Sequence, residues 1–101
     1  EGTFDIETGQ QPCTGFAYNP TGKALLRATE PTPAAVSKAL ALAKEHGARY
    51  LGTWRQPDGP LVFLATAVTH DESVARERVA ATGQRAYFDL ERCRTITVSA
   101  H

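Results

Sequence analysis

The segment LVFLATAV, residues 61–68, is apolar at every position except Thr66. Because successive residues of a β-strand point to opposite faces, a strand of this composition is apolar on both faces and is expected to be covered on both. It follows ARYLGTWR (48–55) and the turn sequence QPDGP (56–60), and two β-rich runs around Pro-Asp-Gly predict a hairpin. The rest of the chain, or a partner, must therefore cover both faces of the second strand of this hairpin.

Two helices are predicted, one before the hairpin and one after it. The first begins at Thr32, whose side chain can cap free amides, with Pro33 at the first helical position, and it ends at Gly47. Between these ends, apolar residues recur at helical spacing: Val36, Ala39, Leu40 and Ala43. The second helix begins within THDESVARERV (69–79) and ends at Gly83. Two helices around a central hairpin indicate an α+β protein.

The remaining segments complete the predicted order. Residues 1–13 are polar and are interpreted as an N-terminal arm, whereas four runs are predicted as strands: TGFAYN (14–19), KALLRAT (23–29), RAYFDL (85–90) and TITV (95–98). We expect residues 1–101 to form a single α+β domain, a two-layer sandwich with two helices on one face of a mainly antiparallel sheet. The ferredoxin-like βαββαβ arrangement is the leading candidate.

The start of the second helix combines a histidine with two acids and can be interpreted in two ways. Thr69 and Glu72 have the spacing of a capping box, and Glu72 is four residues before Arg76, which predicts an exposed ion pair. Alternatively, His70 acts as a general base oriented by Asp71, with Arg76 or Arg78 binding an anion. Adjacent residues at a helix start do not point at each other, so the capping interpretation is favoured.

Charge and composition disfavour two classes of partner, nucleic acids and membranes. Eleven basic residues balance eleven acidic ones, whereas a nucleic-acid-binding protein usually carries a basic excess, so a nucleic-acid partner is disfavoured. No apolar run approaches the roughly 20 residues of a membrane helix, and no signal-peptide pattern is present. We therefore expect no membrane partner and a cytoplasmic or virion-associated location.

The metal-binding and redox residues show no functional spacing. His46, His70 and His101 lack the HxxxH and HExxH patterns of zinc sites, and no nucleotide-binding or serine-hydrolase motif is present. Cys13 and Cys93 are interpreted as small hydrophobic residues at strand ends, and whether they are bonded is left open. No metal and no cofactor are predicted.

The predicted sheet offers a binding surface. Tyrosine, tryptophan and arginine are enriched where protein interfaces derive their binding energy. The candidate binding residues are therefore Tyr18, Tyr50, Trp54, Arg55 and Tyr87. In the alternative, the N-terminal arm covers this face through Phe4 and Ile6, and the aromatic residues belong to an ordinary core.

Three stretches together resemble a known family: TFDIETGQQPCTGFAYNP (3–20), RYLGTWRQPDGPLVFLATAV (49–68) and GQRAYFDL (83–90). They are similar to a small domain family encoded by bacteriophages and prophages, especially in actinobacteria. Its members share a TF-D-x-x-TG start, a G-[FY]-A strand, a Y-x-G-x-W hairpin and an A-[FYW]-[FY]-DL strand. The resemblance implies a phage or mobile-element origin and no particular activity, and the basic segment that some members carry after the first strand is missing here.

These observations leave two functions open. The favoured one is a non-enzymatic accessory or protein-binding module, phage-derived, that uses the aromatic sheet face. The alternative is a small enzyme, a nuclease or another phosphate- or nucleotide-directed protein. Its base would be His70 or His46, and its anion binders Arg55, Arg76 or Arg85. The same sheet face is also suited to homodimerisation, which is compatible with the first function.

Overall fold

The computed structural model describes residues 2–56 and 59–98 and has an α+β architecture of two helices and one seven-stranded antiparallel sheet. The elements in chain order are β1 (Gly2–Asp5), β2 (Phe16–Tyr18), β3 (Leu26–Ala28), α1 (Pro33–Glu45), β4 (Tyr50–Arg55), β5 (Leu61–Thr69), α2 (Glu72–Ala81), β6 (Ala86–Asp89) and β7 (Arg94–Thr97). The predicted class, with its two helices and its antiparallel sheet, is confirmed. The hairpin turn residues 57 and 58 lie outside the described residues.

The strands follow the order β1-β4-β5-β2-β6-β7, and β3 pairs with β5 beside this path. The nine-residue strand β5 holds this arrangement together. Its first part pairs with β4 on one side and with β3 on the other, and its last three residues, 67–69, pair with β2. The sheet thus has three strands more than a ferredoxin-like βαββαβ unit, which has four.

Helix α1 forms as its sequence predicts. Thr32 Oγ1 accepts a hydrogen bond from the amide of Ala35 at 3.2 Å, and Pro33 occupies the first turn. The helix ends at Gly47, whose φ of 72° permits the left-handed stop. Ala39 and Ala43 are fully buried, so the helix approaches the sheet closely through small side chains.

The start of helix α2 differs from the predicted capping box. Asp71 is the N-cap, and its Oδ1 accepts from the amide of Ser73 at 3.0 Å. Thr69 instead accepts from the amide of Asp71, so it stabilises the turn before the helix. Glu72 does not bond back to Thr69 because its carboxylate accepts a hydrogen bond from Tyr87 of the sheet. The predicted Glu72–Arg76 ion pair is present at 3.7 Å.

Both helices lie on the same face of the sheet, each over its own apolar cluster. Helix α1 covers Leu51, Leu61 and Phe63, and helix α2 packs Ala75 and Val79 against Tyr87 and Val98. The α1 cluster contains the odd-numbered residues Leu61 and Phe63 of β5. The α2 cluster contains Phe16 and Tyr18, which pair with the odd-numbered residues 69 and 67 of the same strand, so the two clusters share a face. At roughly 25 cal/mol per Å² of apolar surface removed from water, this burial is the main stabilising contribution to the fold.

The segment predicted as an N-terminal arm contributes a strand instead. Gly2–Asp5 pairs with β4 as the edge strand β1, and Phe4 and Ile6 pack against the α1 cluster. Their side chains therefore lie on the helix side of the sheet. The interpretation in which they cover the opposite face is wrong, because β1 extends the sheet sideways rather than folding across it.

The turns after β1 and β6 repeat one local motif. Phe-Asp-Ile-Glu at residues 4–7 corresponds to Phe-Asp-Leu-Glu at residues 88–91. Asp5 Oδ1 accepts from the amides of residues 7 and 8, and Asp89 Oδ1 accepts from the amides of residues 91 and 92. These amide bonds hold the pKa of both carboxyls below the usual value, and a neighbouring arginine contributes in each case. Each aspartate thus fixes the end of its strand.

The last residue of each turn has a positive φ. This residue is Gly9 in the first turn, with φ of 74°, and Cys93 in the second, with φ of 53°. A left-handed conformation is readily accessible to glycine but strained by about 1–2 kcal/mol for a residue with a Cβ. The second turn therefore contains local strain that the first does not.

We predict that Cys93→Gly stabilises the protein by about 0.5–1 kcal/mol, since the relief of strain exceeds the extra entropy of glycine in the unfolded chain. Gly9→Cys is the reciprocal change, and because a Cβ at Gly9 meets no atom within 4 Å, it should be destabilising through backbone strain alone. Urea denaturation under reducing conditions measures both. A loss of stability in Cys93→Gly would contradict this interpretation of the turn.

Candidate functional site

The face of the sheet opposite the helices carries a concavity of about 490 Å³. Its floor contains small residues from three strands: Ala17 of β2, Gly52 of β4 and Ala86 of β6. Each has larger side chains beside it in the same strand, such as Leu51 next to Gly52, that point to the helices. At these three positions the open face carries no large side chain, while Trp54, Leu64 and Phe88 surround them on the same face. The volume of the concavity lies within the range of about 300–1,000 Å³ that is typical of ligand pockets.

The rim of the concavity is formed by Trp54, which is 44% exposed and is one of two exposed large hydrophobic residues in the described part of the chain. The lining also includes Leu64 and Phe88 together with threonine and amide side chains: Thr3, Thr53, Thr66, Thr95, Asn19 and Gln84. Among the lining residues Arg85 alone is charged at neutral pH, and none is acidic. The site is therefore nearly neutral and suits an apolar or aromatic group with few polar atoms.

Gly52 is required by close contact between two strands. It pairs with Leu64 on β5, and a Cβ placed on it would overlap Oγ1 of the neighbouring Thr66. Thr66 is itself buried and donates to the carbonyl of Leu64 at 3.1 Å. The floor of the concavity therefore depends on the absence of a side chain at position 52.

The five predicted binding residues do not form one surface. Tyr50 and Trp54 lie on the open face, as their alternation with Leu51 requires. Tyr18 and Tyr87 are also among the residues that line the concavity. Their side chains, however, pack against helix α2 on the opposite face of the sheet. Phe16 and Ala17 alternate in the same way, so the aromatic residues of β2 belong to the helix-side core. Arg55 is exposed, and its Nη1 donates to the carbonyl of Gly59 at 2.9 Å.

Tyr87 connects helix α2 to the sheet. Its hydroxyl donates to Glu72 Oε2 at 2.6 Å and accepts from Arg76 Nη2 at 2.9 Å. Burial, followed by the bond to Glu72, raises the pKa of Tyr87 to about 12. Arg76, the predicted anion binder, is thus engaged with Tyr87 and Glu72. Its role in this structure is to fix the helix rather than to present a free guanidinium.

His46 and His70 lie next to the ends of different helices, and His101 lies outside the described residues. His70 is exposed and shares a hydrogen bond of 3.2 Å with Thr14 Oγ1. The carboxylate of Asp71 accepts from the hydroxyl and the amide of Ser73, which lower its pKa, so it is not oriented towards His70. His46 caps the C-terminal end of helix α1. Among the described residues, no histidine lines the concavity.

The cysteines are placed differently from the sequence interpretation. Cys13 and Cys93 are both exposed free thiols, and Cys93 lies in the turn before β7 rather than at a buried strand end. Within residues 2–56 and 59–98, no group of three histidine, cysteine or acidic side chains is arranged to hold a metal ion. In the same part of the chain, neither helix is long and apolar enough to cross a membrane.

The small residues of the floor were missed as functional candidates by the sequence analysis. The sequence does contain an indication of this floor, because Ala17 stands between two aromatic residues and Gly52 stands between Leu51 and Thr53. Alternating large and small residues in a strand indicate one filled and one hollow face. The pattern becomes informative only when the strand neighbours are known, because Ala17 pairs with Val68 and Phe88, and Gly52 pairs with Thr3 and Leu64.

No protein family, no curated protein and no solved structure matches this chain in the three comparisons with known proteins.

We predict that Gly52→Ala destabilises the protein by about 1–3 kcal/mol, because the new methyl group overlaps Thr66 Oγ1 in a packed strand pair. Adding Thr66→Ala to this variant should recover part of the loss by removing the overlapping atom. Denaturation of both single variants and the double variant gives the coupling energy. Strict additivity of the two changes would show that the close contact is unimportant.

We also predict a component of alkaline unfolding that is due to Tyr87. Because the folded pKa of about 12 lies above the ordinary value of 10.0, the stabilisation is complete below about pH 10 and is lost as the pH rises towards 12. Tyr87→Phe removes both the hydroxyl bonds and this pH-dependent component. Denaturation curves between neutral pH and pH 12 should fall less steeply for the variant. An identical fall in both proteins would be inconsistent with this assignment.

Proposed function

We propose that this protein is a non-enzymatic interaction module that binds a protein partner through the open sheet face around Trp54 and Tyr50. The observation that carries the proposal is the pairing of an exposed tryptophan with an apolar concavity on the one sheet face that neither helix covers. Exposed tryptophan and tyrosine residues are the side chains from which protein interfaces most often derive binding energy. An aromatic or aliphatic side chain of the partner would enter the concavity, with Trp54 packing against it.

The electrostatics of the face support a protein partner over a nucleic acid. Binding to phosphates depends on clustered lysine and arginine side chains. The concavity contributes one arginine, Arg85, and the chain as a whole has a formal net charge of zero. Apolar contact, rather than charge, is what this surface offers.

We also propose that β2, α1, β4, β5, α2 and β6 form a βαββαβ unit to which β1, β3 and β7 are added. The neighbour order β4-β5-β2-β6 and the antiparallel pairing of each neighbouring pair support this relation. The phage or prophage origin belongs to the same proposal and is supported by the sequence resemblance alone. A virion-associated role would follow from that origin.

We predict that Trp54→Ala removes partner capture while the fold is retained, because Trp54 lies at the rim and not in the core. In a pull-down with the tagged chain from an actinobacterial lysate, the wild-type protein should retain partners that the variant loses. The intensity lost from each captured band measures the effect, and far-ultraviolet circular dichroism checks the fold.

Val74→Ala is the matched control for this experiment. Val74 is the other exposed large hydrophobic residue of the described chain, at 42% exposure, and lies on the outer side of α2. It should leave capture unchanged. Capture that survives Trp54→Ala but is lost with Val74→Ala would move the binding surface to the helix layer and overturn the proposal.

A further inference from the structure

The open face carries both halves of a complementary contact. Trp54 projects at the rim as an exposed aromatic group, and the concavity beside it has a floor of small residues. A surface with one projection and one hollow is self-complementary under a twofold rotation, which brings each projection of one copy opposite the hollow of the other. We infer that the protein partner of this face is a second copy of the chain, with Trp54 of each copy seated in the concavity of the other. This inference rests on the proposed function and names its partner.

The dimensions of the site are compatible with this exchange. An apolar cavity of roughly 150 Å³ is enough to bind benzene. The concavity of about 490 Å³ therefore has room for the larger indole ring of Trp54. Because the floor positions Ala17, Gly52 and Ala86 present at most a methyl group, the ring can approach the sheet without displacing a large side chain.

The area of the face is also sufficient. The molecule measures 36 × 30 × 24 Å. A flat side of a body of this size has an area on the order of 1,000 Å², and a standard stable interface buries about 800 Å² on each partner. An interface of ordinary size therefore has to extend beyond the concavity over most of one side of the molecule. It also covers Leu64, which is partly exposed on the side of β5 away from the helices.

Charge does not oppose the association. The formal net charge is zero, and the residues lining the concavity include no acid and one base, Arg85. Two identical faces can therefore meet without burying carboxylates against each other, which is the usual electrostatic cost of pairing like surfaces. By contrast, the shallow depression on the outer side of α2 includes Glu77 and Arg78 and is less suited to a dry contact.

The experiment uses two variants that each remove one half of the contact. Trp54→Ala removes the projection and part of the rim but leaves the floor of the concavity, whereas Ala86→Phe fills the concavity and leaves the projection. Sedimentation velocity over a micromolar to millimolar series should show a dimer for the wild-type chain, with the dissociation constant raised about tenfold or more in each variant. In an equimolar mixture of the two variants, one of the two contacts can form again, so association should recover in part.

Several results would overturn the inference. It fails if the wild-type chain is monomeric throughout the series, if Trp54→Ala dimerises as well as the wild type, or if the mixture associates no better than the variants alone. Ala41→Phe, a change of the same size on an exposed position of α1, is the control and should not alter association. If Ala86→Phe does not fold, Ala86→Leu replaces it. The emission of Trp54, the one tryptophan in the sequence, must also shift to shorter wavelengths as the wild-type chain is concentrated.

The outcome separates this inference from the proposed function. A monomeric wild-type chain that still captures a different protein through Trp54 would refute the second copy and retain the interaction module. If Trp54→Ala changes neither self-association nor capture, both fail. A dimer that depends on Trp54 and is restored in the mixture supports both.

Discussion

The constraint on which the structure depends is the strand β5, which is apolar on both faces and pairs with three other strands. Its first half aligns β4 and β3, and its last residues hold β2, through which β6 and β7 are attached. Each residue of β5 that faces the helices is therefore matched by a neighbour that faces away from them. The two helices cover one face of the strand. On the other face Val62 and Thr66 are also buried, whereas Leu64 and Val68 stay partly exposed.

The way the neighbouring strands distribute side-chain size gives the open face its shape. On the helix side they carry large residues such as Leu51, Phe63 and Tyr87, which fill the space under α1 and α2. On the other side, Ala17 and Gly52 leave the surface hollow. The same alternation thus produces a dense core and a concavity. A substitution that exchanged large and small residues in β2 would weaken the core and fill the concavity together.

Local signals were sufficient to predict much of this fold, and the failures have identifiable physical causes. The ends of α1 at Thr32 and Gly47 and the alternation along β5 were correctly predicted because each depends on a few neighbouring residues. The predicted capping box does not form because Glu72 accepts a hydrogen bond from the buried hydroxyl of Tyr87, fifteen residues away in the sequence. A motif defined by four neighbouring residues cannot take such a distant partner into account. The arm was misinterpreted because polar residues dominate the segment, whereas strand pairing requires only that Phe4 and its neighbours align with β4. Of the candidate site, Trp54 was predicted and the hollow floor was not, since a floor is a property of several strands side by side.

The geometry of the sheet edges favours the face as the surface of association. The outer strands β1 and β7 are four residues long, and β7 presents Arg94 and two threonines to solvent, so a partner strand would gain few hydrogen bonds there and would meet a charge. The aspartate turns at Asp5 and Asp89 further fix the chain where β1 and β6 end. Short, terminated edges limit the growth of the sheet in its own plane. The apolar surface that remains is the open face, where Trp54 is 44% exposed and Leu64 and Phe88 are partly exposed.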